Sequence, residues 1–159
     1  MTIAVGERLP DVEVQVPGPS GPQRVRTTEL LGTGKVVLFG VPGAFTPTCS
    51  DYHLPSFVVR AEDLRAKGVD RIACIAVNDA FVMGAWAQAE HADDLVMLAD
   101  GNGEFARAAG LEMDGSGFGL GQRIRRFAAV LEDGVVRHVA VESGPGLEVS
   151  SADAVLAVL

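Results

Sequence analysis

An α/β fold, with a mixed central sheet, helices on both faces and an extra N-terminal β-hairpin, is what this 159-residue sequence predicts. Three observations carry the prediction. Short, near-continuous apolar runs alternate with helical patterns, the mark of parallel strands buried on both faces. Two β-rich runs meet at Asp133-Gly134, a type I′ hairpin signal. A strictly alternating run, "VEVQV" (12–16), precedes them all and reads as an outer hairpin strand.

The elements follow in order. "PGPSGP" (17–22) is the turn between residues 12–16 and "QRVRTTELL" (23–31), where Thr27 or Thr28 caps a short helical turn that Gly32 ends. "KVVLFGVP" (35–42) is the first buried strand. From Leu54 an apolar stripe at Phe57, Val58, Ala61 and Leu64 predicts one helix, closed by Lys67 and Gly68. "RIACIAV" (71–77) is the second buried strand, 78–92 a helix with N-caps at Asn78 and Asp79, and "LVMLA" (95–99) the third strand. A short helix at 104–109 comes next, and the glycine-dense "EMDGSGFGLGQ" (112–122) reads as a surface loop. Its spacing fits neither a Rossmann nor a P-loop cradle. The hairpin at 127–141 and a capped terminal helix complete the chain, which reads as a single domain over 1–159.

Hydrophobic residues make up 48% and charged residues 21%, a globular composition. The formal net charge of −8 argues against nucleic acid or an anionic membrane as partner. No apolar run approaches the ~20 residues needed to span a bilayer, and the first residues lack a secretory pattern. The expected location is the cytoplasm, where thiols stay reduced and two cysteines form no disulfide scaffold. Cys49, Cys74, His53, His91 and His138 show no paired metal-ligand spacing.

Cys49 is the residue whose setting points to chemistry. With Thr46 as N-cap and Pro47 at the first helical position, Cys49 is the third residue of a helix. Its sulfur then lies near unpaired N–H groups and the positive end of the helix dipole, which favour thiolate over thiol. The competing reading is a small apolar residue packed at a helix start. Pro55 lies in what should be helix interior, at a cost of ~3 kcal/mol unless the helix kinks or starts later.

"PGAFTPTC" (42–49) fits the pattern Pro-x-x-x-Thr-x-x-Cys, and through it the chain resembles the peroxiredoxins. The wider "FGVPGAFTPTCSDYHLPSF" (39–57) is similar to the peroxiredoxin-5, or type II, subgroup. The likeness continues in "ACIAVNDAFVMGAW" (73–86), "MLADGNGEFARAAGL" (97–111) and "RIRRFAAVLEDGVV" (123–136). It implies a thioredoxin-like fold and a thiol-dependent peroxidase acting on hydrogen peroxide and organic hydroperoxides, with no cofactor and no metal.

Residue by residue, the resemblance makes Cys49 the peroxidatic cysteine, Thr46 its hydroxyl partner, Pro42 the shield of the sulfur and Arg126 the guanidinium. Arg123 and Arg125 read as a solvated basic edge, with a helping role open to Arg123. The N–H groups from Gly43 to Cys49 supply further donors, with Gly43 and Thr48 at the substrate. Phe45 is a candidate pocket wall or subunit contact. Cys74 is either a resolving cysteine, as in plant type II members, or an inert core thiol. The C-terminal resolving route of animal members is absent, because Val149 stands there. Glutaredoxin with glutathione, or thioredoxin, is the expected reductant, and a homodimer the expected assembly. His53 is read as a surface histidine that could touch the pocket, His91 as solvated and His138 as outward-facing. A thioredoxin-type oxidoreductase would need Cys-x-x-Cys, and Thr46 occupies the first cysteine's place. A non-catalytic redox sensor or a chaperone-like binding protein, with slow oxidation of Cys49 and a partner interaction as output, is the alternative from another class.

Overall fold

The computed structural model describes all residues, 1–159. A seven-stranded mixed sheet forms the frame, built from β1 (Glu13–Val16), β2 (Gln23–Arg26), β3 (Lys35–Gly40), β4 (Arg71–Ala76), β5 (Val96–Ala99), β8 (Phe127–Glu132) and β9 (Val135–Val141). Its order is β2-β1-β5-β4-β3-β8-β9. β3, β4 and β5 run parallel, and β1 and β8 join them antiparallel on either side.

The apolar runs are continuous because both sheet faces are covered. Val37, Phe39, Ile72, Cys74 and Met97 point into one layer with α2 (Leu54–Val59), α3 (Ala61–Ala66), α4 (Ala80–Ala89) and α6 (Ala152–Leu156). Val36, Leu38, Ala73, Ile75 and Leu98 point into the other, against α1 (Thr27–Leu31) and α5 (Glu104–Ala108). At about 25 cal/mol per Å² of apolar surface, these two layers are the main source of stability. Asp133 and Gly134 both adopt positive φ, 49° and 80°, as the type I′ turn requires.

Three expectations need correction. Residues 112–122 do not form a mere loop: β6 (Glu112–Asp114) pairs with β7 (Gln122–Ile124), and a 3₁₀ turn at Ser116–Phe118 closes this small hairpin. Three-residue strands paired only with each other leave no alternating apolar signature. Neither Thr27 nor Thr28 caps α1, whose N-cap is Arg26; its N–H donates to Glu29 Oε1. Buried Thr27 instead donates to the Pro10 carbonyl and accepts from Val12 N–H, tying the hairpin to the preceding chain. The helix from Leu54 is interrupted at Arg60, giving α2 and α3.

Pro55 is accommodated by a π-helical turn, Cys49–His53, immediately before α2. There the Leu54 N–H donates to the Cys49 carbonyl five residues back. The wider turn takes in one extra residue, so the proline ring falls at the start of α2 rather than inside a regular helix.

Candidate active site

The first turn after β3 builds the site. Pro47 and Thr48 are helical and Ser50 N–H donates to the Thr46 carbonyl at 2.9 Å, so Pro47 opens the helix and Cys49 is its third residue. Trp86 of α4 fixes this turn by donating its indole N–H to Ser50 Oγ at 2.9 Å. Asn78 does not cap α4, a role Asp79 fills toward Val82 N–H; the Asn78 Oδ1 instead accepts from Ala44 N–H and holds the 42–45 segment.

Cys49 is fully buried, and its sulfur accepts a hydrogen bond from Arg126 Nη2 at 3.3 Å. Arg126 immediately precedes β8, which pairs with β3, so the sheet itself brings the two together across 77 residues. A guanidinium N–H aimed at sulfur in a dry setting is a charge-assisted hydrogen bond of fixed direction.

His53 is not a surface residue. It is fully buried, its ring tilted against the stacked pair of Phe39 (5.0 Å) and Phe57 (5.7 Å). Burial first, and the nearby Arg126 charge second, push its pKa down to about 3, so the imidazole is neutral at physiological pH. Its Nδ1 lies 3.0 Å from Arg126 Nη1 and its Nε2 lies 2.8 Å from the Ser150 carbonyl oxygen. A guanidinium can only donate and a carbonyl can only accept. The proton therefore sits on Nε2 and Nδ1 accepts. Sequence reasoning missed this because it assumed an ordinary α-turn; the π-turn rotates His53 inward.

A cleft of about 500 Å³ adjoins these groups, lined by Pro42, Thr46, Thr48, Arg125 and Arg126 among others. The 112–124 hairpin contributes Met113, Asp114, Phe118 and Leu120 to its wall, and Glu142 to Pro145 close the far side. None of these last residues was signalled by the sequence. Cys49, Gly43 and Phe45 do not line the cleft; the sulfur meets it through Arg126. Phe45 is 55% exposed with φ of 64°, and Gly43 is buried. The Thr46 hydroxyl donates to the Gly43 carbonyl at 2.6 Å, leaving its lone pairs for an incoming donor.

Arg123 and Arg125 are half-buried rather than a solvated edge. Arg123 donates to the carbonyls of Leu120 (2.9 Å) and Pro42 (3.4 Å), strapping the hairpin to the active-site turn. Arg125 donates to the Glu142 carbonyl at 3.3 Å. Cys74 is fully buried in β4, level with Phe39, in the same core layer as Cys49. Burial pushes its thiol well above the ordinary range, so Cys74 stays protonated. Both cysteines are free.

The redoxin family pattern matches residues 4–156. The chloroplastic peroxiredoxin-2E-2 of Oryza sativa subsp. japonica is 49% identical, over 99% of this chain and 73% of its own length. Peroxiredoxin-2B of Arabidopsis thaliana is 47% identical, over 99% and 98% respectively. Among solved structures, reduced Prx3 of Vibrio vulnificus in complex with hydrogen peroxide superposes with a TM-score of 0.95 at 48% identity, over 99% of both chains. With a buried, arginine-bound cysteine at the start of a helix in a mixed sheet, this chain belongs to the peroxiredoxins, the thiol-dependent peroxidases of the redoxin family.

Proposed function

We propose that Cys49 is the peroxidatic nucleophile, and that Arg126, Thr46 and Pro42 complete its site. The observation that carries this reading is the Arg126 Nη2 to Cys49 Sγ hydrogen bond, 3.3 Å, beside a cleft that also holds Thr46. A hydroperoxide ROOH enters this cleft. The Cys49 thiolate attacks one peroxide oxygen, an S–O bond forms and the O–O bond breaks. The second oxygen departs with its electron pair and takes up the peroxide proton, leaving as ROH, and the sulfenate left on Cys49 is protonated from solvent. Thr46 Oγ accepts that proton's hydrogen bond during the approach, and Arg126 stabilises charge first on sulfur and then on the departing oxygen. The apolar portions of the wall, Met113, Phe118 and Leu120, suit the R group of an organic hydroperoxide as well as hydrogen peroxide. Thr48 and the backbone at Gly43 and Phe45 belong to the substrate-facing turn in this reading.

The product is Cys49 sulfenic acid. One external thiol condenses with it, releasing water and leaving a mixed disulfide; a second thiol frees Cys49 and leaves as the disulfide. Glutathione with glutaredoxin, or thioredoxin, is the reductant we assign. Cys74 as a resolving cysteine is disfavoured by its complete burial and its proton. The proposed setting is the thiol-reducing cytoplasm. No helix is long and apolar enough to cross a membrane. A homodimer is proposed on the exposed aromatics at this end of the molecule, Phe45 and Phe118 at 55% and 86%.

Stopped-flow oxidation with hydrogen peroxide and cumene hydroperoxide tests the central claim. Wild type should react far faster than free cysteine, Cys49→Ser should not react, and Arg126→Met should lose about 10²–10³ in rate. A wild-type rate no better than free cysteine would overturn the assignment. Turnover of Cys74→Ser with glutaredoxin at the wild-type rate is the expected outcome for an external reductant.

A further inference from the structure

Arg126 makes no ion pair with any carboxylate. Its Nη1 is held by a neutral imidazole instead, which leaves the full positive charge for the sulfur and the peroxide. A carboxylate in direct contact would fix the guanidinium equally well but would compete with the thiolate for it. A neutral spacer transmits position without charge. That raises the question of what fixes the spacer.

His53 rests on the carbonyl of Ser150, a fully buried residue in an irregular segment before α6. This segment is organised by one carboxylate oxygen. Glu142 Oε2 accepts hydrogen bonds from the N–H groups of Glu148 (3.0 Å), Val149 (2.8 Å) and Ser150 (2.9 Å), and from Ser150 Oγ (2.7 Å). Burial of Glu142 raises its pKa, but the Ser150 hydroxyl and the three N–H groups outweigh that and hold it below the usual carboxylate range. Glu142 also grips Arg126 from the other side: its own N–H donates to the Arg126 carbonyl at 2.9 Å.

We propose that Glu142 is a positioning residue for the peroxidase reaction. Its carboxylate shapes the 148–150 segment, the Ser150 carbonyl orients His53, and His53 holds the Arg126 guanidinium on Cys49. The inference rests on the assignment of Cys49 and Arg126 above and deepens it.

The test compares Glu142→Ala, Glu142→Gln and Arg126→Met, singly and with Glu142→Ala and Arg126→Met combined. Three quantities are read: the rate with hydrogen peroxide, the rate of Cys49 alkylation by iodoacetamide, and the ¹⁵N spectrum of the His53 ring. Glu142→Ala should lose roughly tenfold in peroxide rate, the size of loss that outer partners of a positioned group typically carry. Alkylation should fall by less, and the His53 signal should change from the single Nε2–H tautomer to a mixture. Glu142→Gln, which keeps an acceptor oxygen, should recover most of the rate. In the Arg126→Met background, Glu142→Ala should cost nothing further. Leu131→Ala, in the opposite core layer, should lower thermal stability and leave the peroxide rate and the His53 tautomer unchanged. Should Glu142→Ala fail to fold, Glu142→Asp withdraws the oxygen by one methylene and carries the same expectation. A folded Glu142 variant with the wild-type tautomer and rate, or an equal loss in both backgrounds, overturns the proposal. An Arg126→Met protein as fast as wild type would instead sink the assignment beneath it.

Discussion

Thr46 and Gly43 show how finely single atoms are fixed in this site. Because the Thr46 hydroxyl proton is committed to the Gly43 carbonyl, Oγ can only accept from an incoming hydroperoxide. Thr46→Val removes that acceptor at constant volume and should cost roughly 10² in peroxide rate, whereas Thr46→Ser should stay near wild type. Stopped-flow traces of the two variants decide this. Gly43→Ala is a subtler probe. An added Cβ would stand 2.9 Å from Arg123 Nη1 and 3.1 Å from Thr46 Cγ2. The arginine tip can move, so stability should change by about 1 kcal/mol or less, while displacement of Thr46 should slow the reaction several-fold. At this scale the sequence was most legible where residues are contiguous. The run from Pro42 to Cys49 announces itself, and Arg126 stands out before an aromatic strand start. His53 and Glu142 were not legible as site residues. The inward turn of His53 depends on one extra residue in a helical turn, and the partners of Glu142 are backbone groups that carry no side-chain signature.

Strand pairing, rather than any loop, sets the distance between the two halves of the site. Gly40 of β3 faces Phe127 of β8, and a Cβ at Gly40 would overlap the edge of the Phe127 ring. Gly40→Ala should therefore destabilise the fold by about 1–3 kcal/mol through overpacking. It should also lower the peroxide rate, because Phe127 cannot shift without moving Arg126 beside it. Chemical denaturation and stopped-flow oxidation should show both losses together; loss of stability with full activity would refute this coupling. The parallel strands were readable as apolar runs because burial on both faces leaves a compositional mark. The 112–124 hairpin was not, since its strands are three residues long and lean on the rest of the chain through Arg123. Yet it supplies much of the cleft wall. Phe118→Ala should raise KM for cumene hydroperoxide several-fold, on the order of 1 kcal/mol of lost apolar contact, and leave the hydrogen peroxide rate unchanged.

The whole molecule joins a dry two-layer core to a polar chain that runs through it from Glu142 to Cys49, and this join makes the fold sensitive to acid. His53 titrates near 6.5 when unfolded but only at about 3 in the native state. As pH falls below 6.5 the unfolded chain takes up a proton that the native protein refuses, so stability declines from there down to about pH 3. The loss is on the order of a few kcal/mol. Glu142 acts in the same sense at lower pH: its depressed native pKa gives stability above the unfolded value, and that stability is lost as pH falls through the native one. Asp100 works in the opposite sense. Burial raises its pKa despite hydrogen bonds from Phe105 and Ala106 N–H, so it protonates first in the native state and offsets part of the loss. The three signs predict a stability that begins to fall near pH 6.5, ahead of ordinary carboxylate titration. His53→Gln, which removes the imidazole, should delay that onset toward the carboxylate range even if its stability at neutral pH is lower. Urea midpoints measured from pH 8 to pH 4 for both proteins give the comparison. Parallel curves would show that the buried imidazole is not the acid-sensitive group, whereas a wild-type slope that appears between pH 6.5 and 5 and vanishes in His53→Gln places it there.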